Sequence, residues 1–571
     1  MSVLYIVVGS AVIFILAYVT YGSFLAKKVF QIDDKNPTPA VEINDGQDFV
    51  PAKKGMLIGQ HFSAIAAAGP INGPILAAAM FGWAPALLWV IFGSIFIGGI
   101  HDMGSLVASV RYKAKSITEV IRCNVSARAW ILFMIFIWIT LVYVIVAFTD
   151  ITASSFVGNV TLESGEVVRG AAIASSSVMY LILPIIMGLL MRYAKLKESL
   201  ATIIFLPLVG VAIWAGKFCP LYLPFADVVL QQKVWGLIIL AYCLIASVLP
   251  MWLLLQPRGA LGGYFLYAAL IVAGIGIIFG GYTVEYPAFT NMMPDGSLGE
   301  NFWLPMFPVL FITIACGACS GFHSLISSGT SSKQLEHESD AKAVGYGSML
   351  LEGMVAVVSI ACVMILSTES ETISKAPNFI YATGIGSFME LIGVPTAFGI
   401  SFGLMAFTTF VYDTLDVCSR LGRYILEEIT GWKDLKGRIF ATALTALVPL
   451  FFVFQTMTDA SGKVIPAWRL FWSLFGASNQ LLAALALIGI SIWLMKSRTD
   501  SKVWIAAFIP AVFMLIMSNW ALLDFIYVGW ILGKGHQVIP AVSAVLFVLS
   551  TLVSVETFHA MMSKEKCEQI V

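Results

Sequence analysis

The chain has 571 residues, 59% of them hydrophobic and 12% charged, with 33 basic and 33 acidic side chains. A mean hydropathy of +0.90 and about half the charge of a soluble domain, which carries about 25%, exclude a water-soluble enzyme or a nucleic-acid-binding module and leave a polytopic membrane protein. Eight cysteines lie mostly in apolar runs or short loops, the distribution of packing residues rather than of a disulfide framework.

Apolar runs of about 17 to 25 residues, long enough to cross a hydrocarbon core, predict fifteen spans. In order these are Leu4 to Ala26, Gly55 to Met80, Pro85 to Val110, Ala129 to Phe148, Ala171 to Met191, Leu200 to Gly216, Val234 to Leu255, Leu261 to Tyr282, Met306 to Thr330, Gly345 to Leu366, Thr396 to Val417, Ile439 to Phe454, Leu470 to Leu494, Val503 to Met517 and Val538 to Val555. The sixth, twelfth and fourteenth are short enough to be re-entrant instead. Met1 to Ala26 lacks a basic leading segment and is too long for the apolar part of a signal peptide, so it reads as a retained span. Cytoplasmic loops retain Lys and Arg. With the N-terminus outside and the C-terminus inside, 26 of the 33 basic residues fall in inner segments, Arg258, Lys564 and Lys566 among them, and 7 in outer ones. Val284 to Pro305 is then an outer loop with acids and no bases, turning at Tyr286-Pro287 and Pro294-Asp295-Gly296.

Two spans are irregular. In Gly55 to Met80, Gly69-Pro70 and Gly73-Pro74 stand four residues apart with Asn72 between them. Proline removes an amide donor and glycine tolerates other dihedrals, which predicts a break with freed backbone groups near Ala68 to Gly73. At membrane depth such groups survive only where protein or a water-filled cavity surrounds them, so the stretch is a candidate substrate or ion site. In Met306 to Thr330, Gly317, Gly321 and Gly329 interrupt the run, and Ser320, Ser324, Ser327 and Ser331 recur on one helical face with His323 beside it. This span is seventh after the first broken one, so the two run in opposite directions, as an inverted-repeat transporter requires. For either span alone the alternative is close packing through small residues, with serines bonded to their own backbone.

A charge at mid-membrane costs about 2.5 to 3.5 kcal/mol on insertion scales, so each such group needs a partner or a role. His61, Ser63, Gly69, Asn72 and Gly73 form one half of a candidate substrate site; Ser320, Gly321, His323, Ser324 and Ser327 form the other. Helix ends at the two breaks would offer amide donors to a carboxylate. The ion-coupling candidates are Asp102, Glu352, Thr408, Thr409 and Asp413. Asp102 is first among them for a proton, with pairing to His101 or a neighbouring helix as the alternative. Glu352, one to two turns inside its span, is open between coupling and a structural role. Thr409, Asp413 and Asp416 share a face, and Arg420 four residues beyond Asp416 favours an ion pair there. Thr408 and Thr409 could serve sodium, beside carbonyls freed by the first break. Asn479 and Gln480, deep in Leu470 to Leu494, suit interhelical hydrogen bonding. Cys316 and Cys319 have CxxC spacing without a second ligand pair, so no metal or other cofactor is predicted. No GxxxxGK[ST] motif offers a route to ATP.

The segments GQHFSAIAAAGPINGPILAAAM at Gly59 to Met80, FPVLFITIACGACSGFHSLISSGTSSKQL at Phe307 to Leu335, GYGSML at Gly345 to Leu350 and LFGASNQLLAALAL at Leu474 to Leu487 resemble the carbon starvation protein A (CstA) family of bacterial and archaeal membrane proteins. The resemblance implies a secondary transporter induced on nutrient limitation, taking up peptides or, in some members, pyruvate with protons. It also implies an all-α, inverted-repeat fold of the LeuT or amino acid-polyamine-organocation type, with discontinuous helices and extra spans. On that plan residues 1–54 are an N-terminal span and inner loop, 55–217 a first five-helix repeat, 218–305 two intervening spans, 306–495 a second five-helix repeat, and 496–571 C-terminal spans and tail. A seven-plus-seven arrangement fits the same offset. The expected partners are a small-molecule substrate and the lipid bilayer of the cell membrane, with no nucleic acid. The expected coupling ion is a proton, with sodium, a passive channel or a membrane nutrient sensor as alternatives.

Overall fold

The computed structural model describes residues 1–46, 49–162, 165–250, 252–290, 306–432, 434–455, 457–458, 464–498 and 502–562. The expected turn at Pro294-Asp295-Gly296 and the basic residues Lys564 and Lys566 lie outside them. Almost everything described is helical; the strands among the described residues are two short hairpins, Asn159–Thr161 with Val167–Arg169 and Met457–Thr458 with Val464–Ile465. Among the described residues thirteen helices are long and apolar enough to cross a membrane, and Lys54–Ile65 with Gly69–Phe81 makes a fourteenth span bent by 47°. The spans expected to be short are full-length: Glu198–Gly216, Leu435–Phe454 and Ile505–Ile531. The first two extend at their starts through Glu198 and through Lys436 and Arg438, good helix formers whose long stems reach toward the headgroups; the third runs on through Trp520, Leu522, Leu523 and Phe525, which are apolar too.

Burial separates a centre from a periphery. Ala467–Ser497 is 94% buried over its most apolar stretch and Thr396–Thr430 is 83% buried, whereas Val3–Val29 and Val228–Val248 are each 28% buried. Peripheral helices present Ile203, Ile245 and Phe279 outward, at no cost against lipid tails that are as apolar as they are. One buried helix was not expected. Pro377–Glu390 is too short to span and belongs to none of the apolar runs expected to cross, yet it lies along Thr396–Thr430, with Gly386 against Gly399.

Both irregular spans are broken, and the first break is displaced from its expected place. It falls at residues 66–68, between Lys54–Ile65 and Gly69–Phe81. Pro70 sits in the first turn of the second half, where its missing amide has no helical partner to lose; the chain unwinds before the Gly-Pro pairs rather than across them. In the second span, Val309–Thr313 and Phe322–Gly329 flank an unwound segment at residues 314–321, where Gly317 adopts φ +88. His61 meets Ser331, Gly69 meets Cys316 and Gly73 meets Thr313, so the two broken spans pack antiparallel. A Cβ at Gly69 would collide with the Cys316 side chain, and one at Gly73 with the Thr313 carbonyl; glycine permits this closeness.

Residues 33–54 and 333–340 are laced together. Ala52 N donates to the Gln334 carbonyl at 2.9 Å, Lys54 pairs with Asp340 at 3.3 Å, and buried Glu338 accepts from Asp33 N and Asn36 Nδ2 while pairing with Arg111 at 2.9 Å.

Candidate functional site

The polar backbone freed at the second break is taken up by groups from three other spans, Trp83–Arg111, Glu338–Met364 and Ala467–Ser497. Trp89 Nε1 donates to the Ile314 carbonyl at 3.1 Å, Ser94 Oγ to the Gly317 carbonyl at 2.8 Å, and Gln480 Nε2 to the Phe311 carbonyl. Gly317 N donates to Glu352 Oε1 at 2.9 Å, Phe322 N to Asn479 Oδ1 at 3.0 Å, and Gly321 N to the Asn479 carbonyl at 3.1 Å. With no water at depth, each such group requires a protein partner. The amides expected to await a substrate carboxylate here are therefore already engaged. Ser320 bonds Asn479, and Ser324 bonds its own backbone at Gly321.

A fully buried ionic chain borders this break. A π-helical turn at Ser94–Gly98 precedes Gly99–Arg111, which carries Asp102 to the second broken span. Asp102 Oδ1 lies 2.8 Å from His101 Nδ1, Asp102 Oδ2 lies 2.8 Å from His323 Nδ1, and His323 Nε2 lies 3.2 Å from Glu352 Oε2. The pairing of Asp102 with His101 and the depth of Glu352 were legible in the sequence; that His323 links the two acids was not. Cys316, His323 and Glu352 also place one metal-ligand atom each within 4.8 Å of one another.

The first break has a different environment. Its leading half-helix, the end of the second broken span, Leu255–Gly280 and Thr396–Thr430 surround a cavity of about 10 Å³, room for about one water molecule, lined by Gln60, His61, Thr330, Ser331 and Asp413. His61 Nδ1 shares a 2.7 Å hydrogen bond with Ser331 Oγ, but His61 Nε2 and Gln60 Oε1 are buried without partners. Both side-chain polar atoms of Asn72 are likewise buried and unpartnered, as is Ser327 Oγ. Of the carbonyls preceding the break, that of Ala64 accepts from Thr414 Oγ1 at 3.3 Å.

Behind the cavity sits a second ionic cluster that the sequence did not reveal. Arg258, placed by charge counting in an inner loop, is 0% exposed and lies inside Leu255–Gly280. Its Nη2 is 3.2 Å from Asp413 Oδ1 and its Nη1 is 2.5 Å from Asp416 Oδ2. The guanidinium also donates to the Tyr412 carbonyl and the Tyr242 hydroxyl; that hydroxyl in turn donates to Asp416. Ser63 Oγ donates to Asp413 Oδ2 at 2.6 Å, tying the first half-helix to the cluster. The expected Asp416–Arg420 pair is not formed: Arg420 instead donates to the Ala246 and Leu249 carbonyls, because a buried guanidinium one helix away satisfies Asp416 better than a neighbour along its own surface. Thr408 Oγ1 lies 3.2 Å from Ser177 Oγ, and Thr409 Oγ1 is buried without a partner. The spans expected to intervene between repeats thus contribute Tyr242 and Arg258 to the site. The one available signal for Arg258 was an isolated base without a neighbouring charged loop.

Comparison with known proteins follows the same lines. The family model described as carbon starvation protein CstA matches residues 2–380 and 367–521. A peptide transporter CstA of Campylobacter jejuni is 34% identical over 575 residues, covering 90% of this chain and 79% of that protein; one of Helicobacter pylori is 33% identical over 586 residues, covering 90% and 81%. The pyruvate/proton symporter BtsT of Escherichia coli K12 is 29% identical over 612 residues, covering 91% and 81%. Among solved structures, a mutant manganese transporter of Eremococcus coleocola aligns with a TM-score of 0.46 at 12% identity, over 91% of this chain and 99% of that one. The protein is a multi-pass membrane transporter and not an enzyme. With a family model spanning most of its length, the chain belongs to the carbon starvation protein CstA family.

Proposed function

We propose that this transporter is a secondary active carrier of the cell membrane, importing small carboxylate-bearing nutrients, short peptides or pyruvate, together with protons during carbon limitation. In this reading the N-terminus is outside and the cavity lies on the cytoplasmic side of the breaks. The observation that carries it is the position of Asp413, which lines the cavity while bonding Arg258 and Ser63. Two carboxylates share one guanidinium, so the cluster bears one excess negative charge when both are ionised and none when one holds a proton. The ionisable groups around it include Arg258, Asp416, Tyr180, Tyr242 and His61, with Arg420, Cys243 and Tyr412 also near Asp416. A proton gained or lost there changes the charge beside the substrate, and Ser63 passes that change to the first half-helix. In this state the cavity has room for about one water molecule, so the solute enters when the surrounding helices part, and His61 Nε2 and Gln60 Oε1 are the side-chain atoms that meet it. The names of the relatives support peptides and pyruvate alike.

Sodium coupling is a second reading, favoured by the hydroxyl cluster of Ser177, Thr408 and unpartnered Thr409. The test is uptake of labelled pyruvate and of a labelled dipeptide into liposomes under imposed proton or sodium gradients. Proton-driven accumulation that Asp413→Asn abolishes while sparing counterflow is the expected result. Accumulation that follows sodium, flux with no gradient coupling, or binding without flux would instead identify a sodium carrier, a channel or a sensor.

A further inference from the structure

Three side chains at the second break direct metal-ligating atoms toward one point: Cys316 from the unwound segment, His323 from the following half-helix and Glu352 from Ser348–Met364. All are buried, Cys316 at 5% exposure and the other two at 0%. His323 Nε2 and Glu352 Oε2 are 3.2 Å apart, an ion pair whenever the imidazole is protonated, and neither atom makes a hydrogen bond among the described residues, so a neutral imidazole leaves both free to hold an ion. The far side of each group is held. Asp102 engages His323 Nδ1, Gly317 N engages Glu352 Oε1, and Asn479 Nδ2 donates to Cys316 Sγ at 3.4 Å. A carboxylate on the distal nitrogen of a histidine is the usual support of a metal-ligating imidazole, fixing the ring and leaving the other nitrogen free.

We infer that Cys316, His323 and Glu352 form a binding site for a divalent transition ion of the zinc class. A thiolate, an imidazole and a carboxylate suit Zn²⁺ and its analogues and do not suit Mg²⁺ or Ca²⁺. Tetrahedral bonds of about 2.3 Å to sulfur and about 2.0 to 2.1 Å to nitrogen and oxygen place neighbouring donors roughly 3.3 to 3.6 Å apart; His323 Nε2 and Glu352 Oε2 are 3.2 Å apart and Cys316 Sγ lies within 4.8 Å of both. Binding forms bonds to Cys316 Sγ, His323 Nε2 and Glu352 Oε2; the thiol proton, and the Nε2 or carboxyl proton wherever His323 or Glu352 carries one, leave to solvent. The ion joins the unwound segment to the half-helix beyond it and to a neighbouring helix, holding the second break closed. That consequence for transport rests on the carrier reading, whereas the binding does not.

The test is a titration of the purified full-length protein in detergent with Co²⁺, so that failure of metal binding and failure of coupled transport are read separately. Uptake of one ion with an ultraviolet sulfur-to-cobalt charge-transfer band, reversed by Zn²⁺, is expected. Cys316→Ser should remove the band, His323→Gln and Glu352→Gln should weaken binding at least tenfold, and Asp102→Asn, which keeps all three ligands, should weaken it about 10- to 100-fold. Cys319→Ser should leave band and stoichiometry unchanged. Absence of the band in the wild-type protein, or its survival in Cys316→Ser, overturns the site. If Cys316→Ser does not fold, X-ray absorption of the wild-type cobalt complex decides: one sulfur among nitrogen and oxygen ligands supports the site, and an all-nitrogen-and-oxygen shell overturns it.

Discussion

At the second break Trp89, Ser94, Glu352, Asn479 and Gln480 take up freed backbone groups, whereas around the first break Gln60, His61 and Asn72 keep buried polar atoms without partners. Each break has its own ionic cluster, and these differ in the same sense. Around Asp102 there is no fixed cation, and the acids are held by histidines and backbone. Around Asp413 a permanent guanidinium balances two carboxylates at the wall of a cavity. Unmade hydrogen bonds are costly in a low-dielectric interior, so a protein keeps them where a ligand or a change of state completes them. The second break therefore has its freed backbone satisfied and keeps open His323 Nε2 and Glu352 Oε2, the atoms assigned to the ion, and Gln480 Oε1; the first is the side that receives the solute.

The largest effect expected is from Arg258→Met, which leaves two buried carboxylates uncompensated. Removing one partner of a buried ion pair costs about 3 to 5 kcal/mol, so the yield of folded protein and its melting temperature in detergent should fall sharply. A wild-type melting temperature would show that the cluster is not a structural tie. Next in size is the uncoupling of accumulation by Asp413→Asn. Parallel uptake assays on Asp102→Asn sharpen the comparison, since uncoupling by that variant alone would move the proton site to the second break.

Asn479→Ala and Asn72→Ala compare the breaks directly. Asn479 holds Ser320 and the Phe322 amide, and leaving such buried groups unpaired costs about 1 to 3 kcal/mol. Asn72 has no partner to abandon, so its truncation should leave thermal stability near wild type while raising the KM for uptake. Equal destabilisation by the two variants, read by thermal unfolding, would erase the distinction between the two breaks. The smallest effect expected is at Asp34, an exposed loop acid whose carboxyl is held below its ordinary pKa by a 2.8 Å hydrogen bond from Ser339 N. A depressed folded pKa adds stability above the unfolded value and loses it as pH falls through the folded one. Asp34→Asn should stay within about 0.5 kcal/mol of wild type, with any difference seen in melts at neutral pH and gone in acid.

Most of the helices were legible, because a membrane demands a long apolar run wherever the chain crosses it. The two interruptions were legible too, since glycine and proline advertise themselves. Asn479 and Gln480 were correctly read as interhelical donors, though the composition of their own helix could not name Ser320 or the Phe311 carbonyl as partners. Arg258 was misread because charge counting sees an isolated base at the start of an apolar run as a loop residue. Pro377–Glu390 was missed because burial by neighbours, rather than hydropathy, makes it a helix.

By itself the sequence determined that this chain crosses a membrane many times, that two spans break, that they run in opposite directions, and to which family they belong. These are properties of local composition and of order along the chain. Only the tertiary structure decided which polar groups meet. It set His323 between Asp102 and Glu352, brought Arg258 to Asp413 and Asp416, and tied Ser63 across to the same cluster. The physical reason is that a buried charge or an unwound amide takes its partner from whichever helix packs against it. The 155-residue separation of Arg258 and Asp413 carries no trace of that choice.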